Sequence, residues 1–197
     1  VKGKSLSKRI LGDWNTRTVV TVAIGAALYG VLMVYGGIPV FTNTNLSTAL
    51  LVPIIVGGMT GAMPTAVALF LGNVIADLIG GWGLWFDWSV GNGIMGFFVG
   101  LLPVYGAYIT DGIFKVKHAI IYAVTSVLGI LVGIVGVTPL LTMWLYGGDL
   151  ATTYAQAFVA LAANSVVLVV IGIPLLILMA KRYAARTNLR ETEADEV

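Results

Sequence analysis

A chain of 197 residues that is 58% hydrophobic and only 10% charged has too few surface groups for a water-soluble domain, where charged residues make up about a quarter. The net charge of +2 says little alone, while the lack of cysteine excludes disulfides, thiolate metal sites and a cysteine nucleophile. Long apolar runs without period-two alternation exclude an outer-membrane barrel and leave an all-α integral membrane protein, read as one transmembrane substrate-binding domain over residues 1–197.

Residues 1–17, VKGKSLSKRILGDWNTR, put Lys2, Lys4, Lys8, Arg9 and Arg17 ahead of the first apolar run. No small-residue cleavage site follows that run soon enough for a signal peptide, so this basic segment is expected in the cytoplasm. Leu6, Ile10, Leu11 and Trp14 can share one face of a short interfacial helix. The first membrane helix is predicted over residues 18–35 and carries Ala23-x-x-x-Ala27, with Gly30 a turn further on. Small residues four apart let a second helix approach closely, and on the residues alone that helix is one of the same bundle.

Residues 36–48, GGIPVFTNTNLST, hold no lysine or arginine and are predicted to be an external loop. A second helix over residues 48–63, a tight turn at Met63 and Pro64, and a third helix over residues 65–80 follow. The third helix carries Asn73 and Asp77 toward its outer end. A carboxylate inside an apolar run is expensive at membrane depth unless it is paired or faces water, which makes Asp77 a functional-site hypothesis. Residues 81–88 form a second external loop with Trp82, Trp85, Phe86, Asp87 and Trp88. The fourth helix is predicted over residues 89–108, with Asn92 near its start and a kink at Pro103. Residues 110–118 supply Lys115 and Lys117 and the only histidine, His118. A fifth helix over residues 119–137 with Gly129-x-x-x-Gly133 leads to an external segment, residues 138–153, bearing Trp144, Tyr146 and Asp149. The sixth helix, residues 154–180, holds Asn164 in its buried part and Pro174 near its inner end, and the tail, residues 181–197, is basic and then acidic.

All eleven basic residues fall in the N-terminal segment, the turn before the fifth helix and the tail. A six-helix topology places those three regions on one side, so both termini are expected in the cytoplasm. One span more or fewer would scatter the charges across both faces.

Enzymatic chemistry finds little support. The predicted helical interior holds one carboxylate, no histidine and no cysteine, whereas general acid and base work needs two groups with separated pKa values. No catalytic residue and no metal site is expected, and nothing points to nucleic acid. Gly3-Lys4-Ser5 lacks the upstream glycine of a phosphate-binding loop, so ATP hydrolysis must belong to other subunits. A stand-alone secondary carrier stays open, although such a carrier is expected to have repeats and several ionisable groups near the midplane, and Asp77 is alone. The polar and aromatic residues gather instead at the outer end: Asn43 and Asn45 beside Thr42 and Thr44, then Asn73, Asp77, Trp82, Trp85, Trp88, Asn92, Tyr146 and Asn164. Apolar and aromatic walls with a few amides are how small-molecule sites are built. Tryptophan and tyrosine also anchor proteins at the membrane interface, the simpler reading for any one of them. Three tryptophans in one short loop exceed what anchoring needs.

Six helices, basic ends on one side, Ala23-x-x-x-Ala27, a first loop of glycine, threonine and asparagine, and GNVIADLIGG on the third helix resemble the S components of energy-coupling factor (ECF) vitamin transporters, over about residues 15–182. The resemblance implies that Ala23 and Ala27 dock on a transmembrane coupling subunit, which reverses the reading of internal packing. It further implies two ATPase subunits in the complex, no cofactor in the protein itself, external loops that close over a vitamin, and toppling of the loaded protein within the prokaryotic cytoplasmic membrane. Within the family the chain looks most like the cobalamin-type group, and an amide-bearing corrin suits tryptophan, asparagine and threonine partners. A pyridine- or pyrimidine-containing vitamin is the alternative. The lack of external basic residues argues against folate or another polyanion.

Overall fold

The computed structural model describes residues 5–41 and 44–195, with side chains described over residues 5–37 and 47–186. A short helix, α1 (Leu6–Leu11), leaves Leu6, Leu11 and the following Trp14 exposed. The Trp14 indole N–H donates to the Leu11 carbonyl at 2.9 Å, which ties the ring to the helix end. This is the amphipathic pattern expected of an interfacial helix. Gly12 closes α1 with φ of 76°, and a Cβ there would lie 2.9 Å from Pro64 Cγ, so the turn is wedged against the bundle.

The first long helix, α2 (Thr16–Tyr35), is N-capped by Asn15, whose Oδ1 accepts from Thr18 N at 3.0 Å. It buries Val22, Gly25, Ala26, Tyr29 and Gly30 and turns Ala23, Ile24, Ala27 and Leu28 outward. Residues 36–48, expected as an irregular loop, instead contain an antiparallel hairpin of β1 (Gly37–Phe41) and β2 (Thr44–Ser47). Next come α3 (Thr48–Thr60) and α4 (Ala62–Gly80), which meet at Gly61 with φ of 95°. The turn thus lies two to three residues earlier than the Met63 and Pro64 expectation, because glycine takes this backbone conformation without strain and proline is accepted in a helix's first turn.

Helix α4 lies against α2 at very close range. A Cβ on Gly72 would sit 2.8 Å from Tyr29 Cβ and 2.9 Å from the Ala26 carbonyl, and one on Gly30 would sit 2.9 Å from the Gly72 carbonyl. Small residues at this crossing bring the backbones together, as membrane helix pairs require in the absence of a hydrophobic driving force.

After α5 (Phe86–Val99) the chain runs through turns over residues 100–106, and the fourth helix is shorter than the predicted 89–108. Pro103 lies beyond that helix rather than kinking it. The buried His118 serves α6 (Val116–Tyr146): its Nδ1 accepts from Lys115 N at 3.1 Å and satisfies an otherwise orphaned donor. The last helix, α7, runs from Leu150 to Arg186 as an apolar element, and its helical backbone continues to Asp195.

The largest departure from expectation is at residues 138–153. Most of that stretch is not a loop, since α6 continues to Tyr146 and only Gly147, Gly148 and Asp149 separate it from α7. The reason is a π-helical segment, Leu131–Val137, after which Thr138 N bonds the Gly133 carbonyl. The widened turn ends just before Pro139 and carries the helix past a residue that lacks an amide donor. A second π segment, Val167–Ile171, precedes Pro174 in the same way.

Length and composition qualify α2, α4, α6 and α7 to cross a bilayer alone, whereas α3 is a shorter apolar helix and α5 has 14 residues. Ile54, Leu69, Met95, Leu102, Tyr122, Ile130, Leu168 and Leu176 are fully buried among them. Leu28, Leu78, Ile120, Val124, Leu140, Val170 and Leu178 face outward. Leaving such side chains in water forfeits about 1.5–3 kcal/mol each. In lipid that cost disappears, and the helical membrane class follows.

Candidate ligand-binding site

The last turn of α4 and the first turn of α5 build the site around Asp77. Gly81 ends α4 in the left-handed region, and Trp82 N bonds back to the Asp77 carbonyl at 3.2 Å. The Asp77 carboxylate reaches across the turn, where its Oδ2 accepts from Trp85 N at 2.8 Å. One side chain thereby closes the tryptophan loop and fixes the start of α5, where a negative group also suits the helix dipole.

A chain of buried hydrogen bonds runs behind this carboxylate. Asn73 Nδ2 donates to Ser89 Oγ at 3.1 Å and, more weakly, to Asp77 Oδ2 at 3.5 Å. Asn92 Nδ2 donates to Asn73 Oδ1 at 2.9 Å and to the Trp88 carbonyl at 3.0 Å. Asn92 Oδ1 in turn accepts from the Tyr29 hydroxyl at 2.9 Å. Helices α2, α5 and α4 are thus joined through paired amides, each buried in the fold.

The far wall comes from the end of α6. Tyr146 OH accepts from Phe86 N at 3.0 Å and donates to the Leu84 carbonyl at 3.1 Å, so it grips the loop by its backbone. Its ring lies 4.9 Å from that of Trp85 at a 58° tilt. The Trp85 indole N–H donates to the Trp82 carbonyl at 2.9 Å. One turn earlier on α6, Thr142 Oγ1 bonds the buried Asp87 carboxylate, whose other oxygen has no partner among the described residues. Asp149 caps α7 by accepting from Thr152 N at 2.7 Å. Hydrogen bonds from Thr152 hold its carboxyl below the usual aspartate range.

Between these walls lies a cavity of about 610 Å3. Of the residues singled out from the sequence, Asn73, Asp77, Trp82, Trp85, Trp88 and Tyr146 line it together. Asn92 stands one hydrogen bond behind. Asn164, expected at the buried site, is half-buried further along α7 and does not line the cavity. Asn43 lies outside the described residues, as does the side chain of Asn45. Sequence reasoning missed Met33, Thr142, Gly148, Thr153 and Gln156. A signal existed for two pairs: Thr142 and Tyr146 are four apart, Thr153 and Gln156 three apart, and each pair shares a helix face. Reading residues 138–153 as a loop concealed it.

Among the described residues no lysine, arginine or histidine lines this cavity, and the Asp77 carboxylate stands with three indoles, the amides of Asn73 and Gln156, and two threonines. Such a surface favours a flat, uncharged or cationic ligand, which stacks on or sits over the indole faces. Among the described residues there is no cluster of three or more histidine, aspartate or glutamate side chains able to hold a metal.

Residues 13–181 match the family model described as ECF-type riboflavin transporter, S component. A UPF0397 protein of Aliivibrio salmonicida is 36% identical over 182 residues, covering 91% of this chain and 98% of its own length. Similar relatives are UPF0397 proteins of Vibrio atlanticus, 33% identical with 91% and 99% covered, and of Photobacterium profundum, 31% identical with 91% and 98% covered. No solved structure matches the chain.

Proposed function

We propose a function from one premise: the chain belongs to the family of S components of ECF-type riboflavin transporters. It is therefore a transporter subunit of the membrane rather than an enzyme. On the proposed reading it crosses the membrane six times with both termini in the cytoplasm. It captures a water-soluble vitamin from outside and delivers it inward by toppling against a coupling subunit that two ATPase subunits drive.

The observation that carries this reading is the cavity lined from α2, α4, α5, α6 and α7, in which the Asn73 and Gln156 amides and the Asp77 carboxylate stand with three tryptophans. Among the described residues no lysine or arginine lines it, and in the sequence the stretches around its lining residues carry none, which is the pattern the positive-inside rule gives an outward-facing end. Ala23 and Ala27 support the partner surface. They lie on the exposed face of α2, while Gly25, Ala26 and Gly30 make the internal contacts, so the small residues at 23 and 27 do no packing work within the bundle.

For the ligand, the volume and lining favour a planar, pyrimidine-containing ring system, with a flavin first. Small-molecule sites enclose about 300–1,000 Å3, and a cavity of about 610 Å3 suits such a ring with a polar tail. Cobalamin, the first expectation from the sequence, is bulkier than this cavity and requires the tryptophan loop to stand open.

Isolated protein in detergent, titrated with riboflavin, thiamine and cobalamin, tests the assignment. Flavin fluorescence quenched on stacking against the indoles, at submicromolar affinity, is the expected result; binding of cobalamin alone refutes the flavin. Reconstitution alone into liposomes separates the remaining alternative, since gradient-driven uptake without ATPase subunits means a stand-alone secondary carrier.

A further inference from the structure

A second cavity lies at the opposite end of the bundle, where α2 begins. It measures about 210 Å3, and its lining includes Lys8 and Arg9 from α1, Asp13, and Arg17 with Thr21 from the first turns of α2. The turn at Gly61 and the stretch over residues 107–110 complete the walls. Three cations and one carboxylate give the space a positive balance. Arg9 and Asp13 already have partners, which leaves Lys8 and Arg17 as the charges available to a ligand.

The same short helix supplies a second, independent feature. Leu6 and Leu11 of α1 and Trp14 just after it are 60%, 50% and 48% exposed. Large apolar groups beside a basic hollow need two different neighbours at once: hydrocarbon for the leucines and indole, and an anion for Lys8 and Arg17. A free phosphate ion meets only the second need. We propose that this hollow binds the phosphate headgroup of an anionic phospholipid from the adjoining leaflet, with the acyl chains lying beside Leu6, Leu11 and Trp14.

Geometry supports a built site rather than a diffuse basic patch. Gly12 and Gly61 both have positive φ and bring the backbone of the α1 turn against the end of α3 without side chains in the way. Trp14 is held to the end of α1 by its indole hydrogen bond, at the level where amphipathic rings meet headgroups. The Thr21 hydroxyl is committed to the Arg17 carbonyl at 2.8 Å, so selectivity for charge falls to the two cations.

Native mass spectrometry of the full chain in detergent, with equimolar phosphatidylglycerol and phosphatidylcholine, tests the proposal. The expected result is preferential retention of phosphatidylglycerol. The double variant K8Q/R17Q loses that preference by about thirtyfold, from about fivefold per basic residue near an anionic surface, with phosphatidylcholine retention unchanged. If the double variant does not fold, K8Q alone reads about fivefold. Equal retention of both lipids by the unaltered protein overturns the proposal. So does an unchanged preference in the folded variants, and so does displacement of phosphatidylglycerol by equimolar inorganic phosphate, which marks a simple anion site.

Discussion

Replacing Asn92 with leucine tests the hydrogen-bond chain that ties three helices behind the cavity. Leucine matches asparagine in size but removes the bond from Tyr29 OH and the bond to Asn73 Oδ1, both 2.9 Å long and both between helices. Interhelical hydrogen bonds in membrane proteins average about 0.6 kcal/mol and reach about 1.7. Two of them therefore predict a loss of about 1–3 kcal/mol, with the upper half applying if the Tyr29 hydroxyl and Asn73 carbonyl find no new partner. Equilibrium unfolding in mixed micelles measures it. A double-mutant cycle sharpens the test: Tyr29→Phe alone should cost about 0.6–1.7 kcal/mol and next to nothing once Asn92 is already leucine. Costs that add fully, or an Asn92→Leu protein as stable as the parent, refute the view that these amides hold the helices together.

Asp77→Ala should weaken vitamin binding at least tenfold in a fluorescence titration, because Trp85 N loses the acceptor that closes the loop; Asp77→Asn, which keeps an oxygen there, should lose much less for a neutral ligand. Leucine at positions 23 and 27 should abolish co-purification with the coupling subunit and leave ligand affinity intact; loss of folding would instead return these residues to internal packing. Gly72→Ala places a methyl group 2.8 Å from Tyr29 Cβ and should cost about 1–3 kcal/mol by overpacking, read in the same unfolding assay. Asp149→Ala should lower the thermal midpoint by removing the cap on α7. Since the Asp149 carboxyl titrates below its ordinary value, its contribution is fully present above about pH 4 and fades as pH falls through the lowered value. A midpoint difference between parent and variant that grows on acidification contradicts that sign.

The all-helical membrane class was legible because membrane helices announce themselves by length and hydropathy. Asp77 and the tryptophans were legible for a related reason: a charge or a run of indoles stands out in an apolar chain. The end of the fifth helix was the obstacle. Residues 138–153 read as an external segment, yet α6 runs on to Tyr146 through the π-helical segment that precedes Pro139, and a bulge leaves no mark in hydropathy. That reading concealed Thr142, which lines the cavity. Asn164 shows the converse limit. Its polarity drew it into the predicted site, but which side of a helix a residue takes depends on packing that a nearly uniform apolar sequence does not encode.

The tryptophan loop is fastened by its backbone. Asp77 takes Trp85 N, and Tyr146 takes Phe86 N and the Leu84 carbonyl, so none of these latches depends on which side chain the loop carries at those positions. On the proposed reading, mutation can therefore exchange the surfaces that face the cargo while the fastening persists. In evolutionary terms the fastening and the choice of vitamin are then separable traits, and a lineage that keeps Asp77 and Tyr146 can acquire a new nutrient by substitutions at positions such as 82 and 88 without first losing the loop's anchorage.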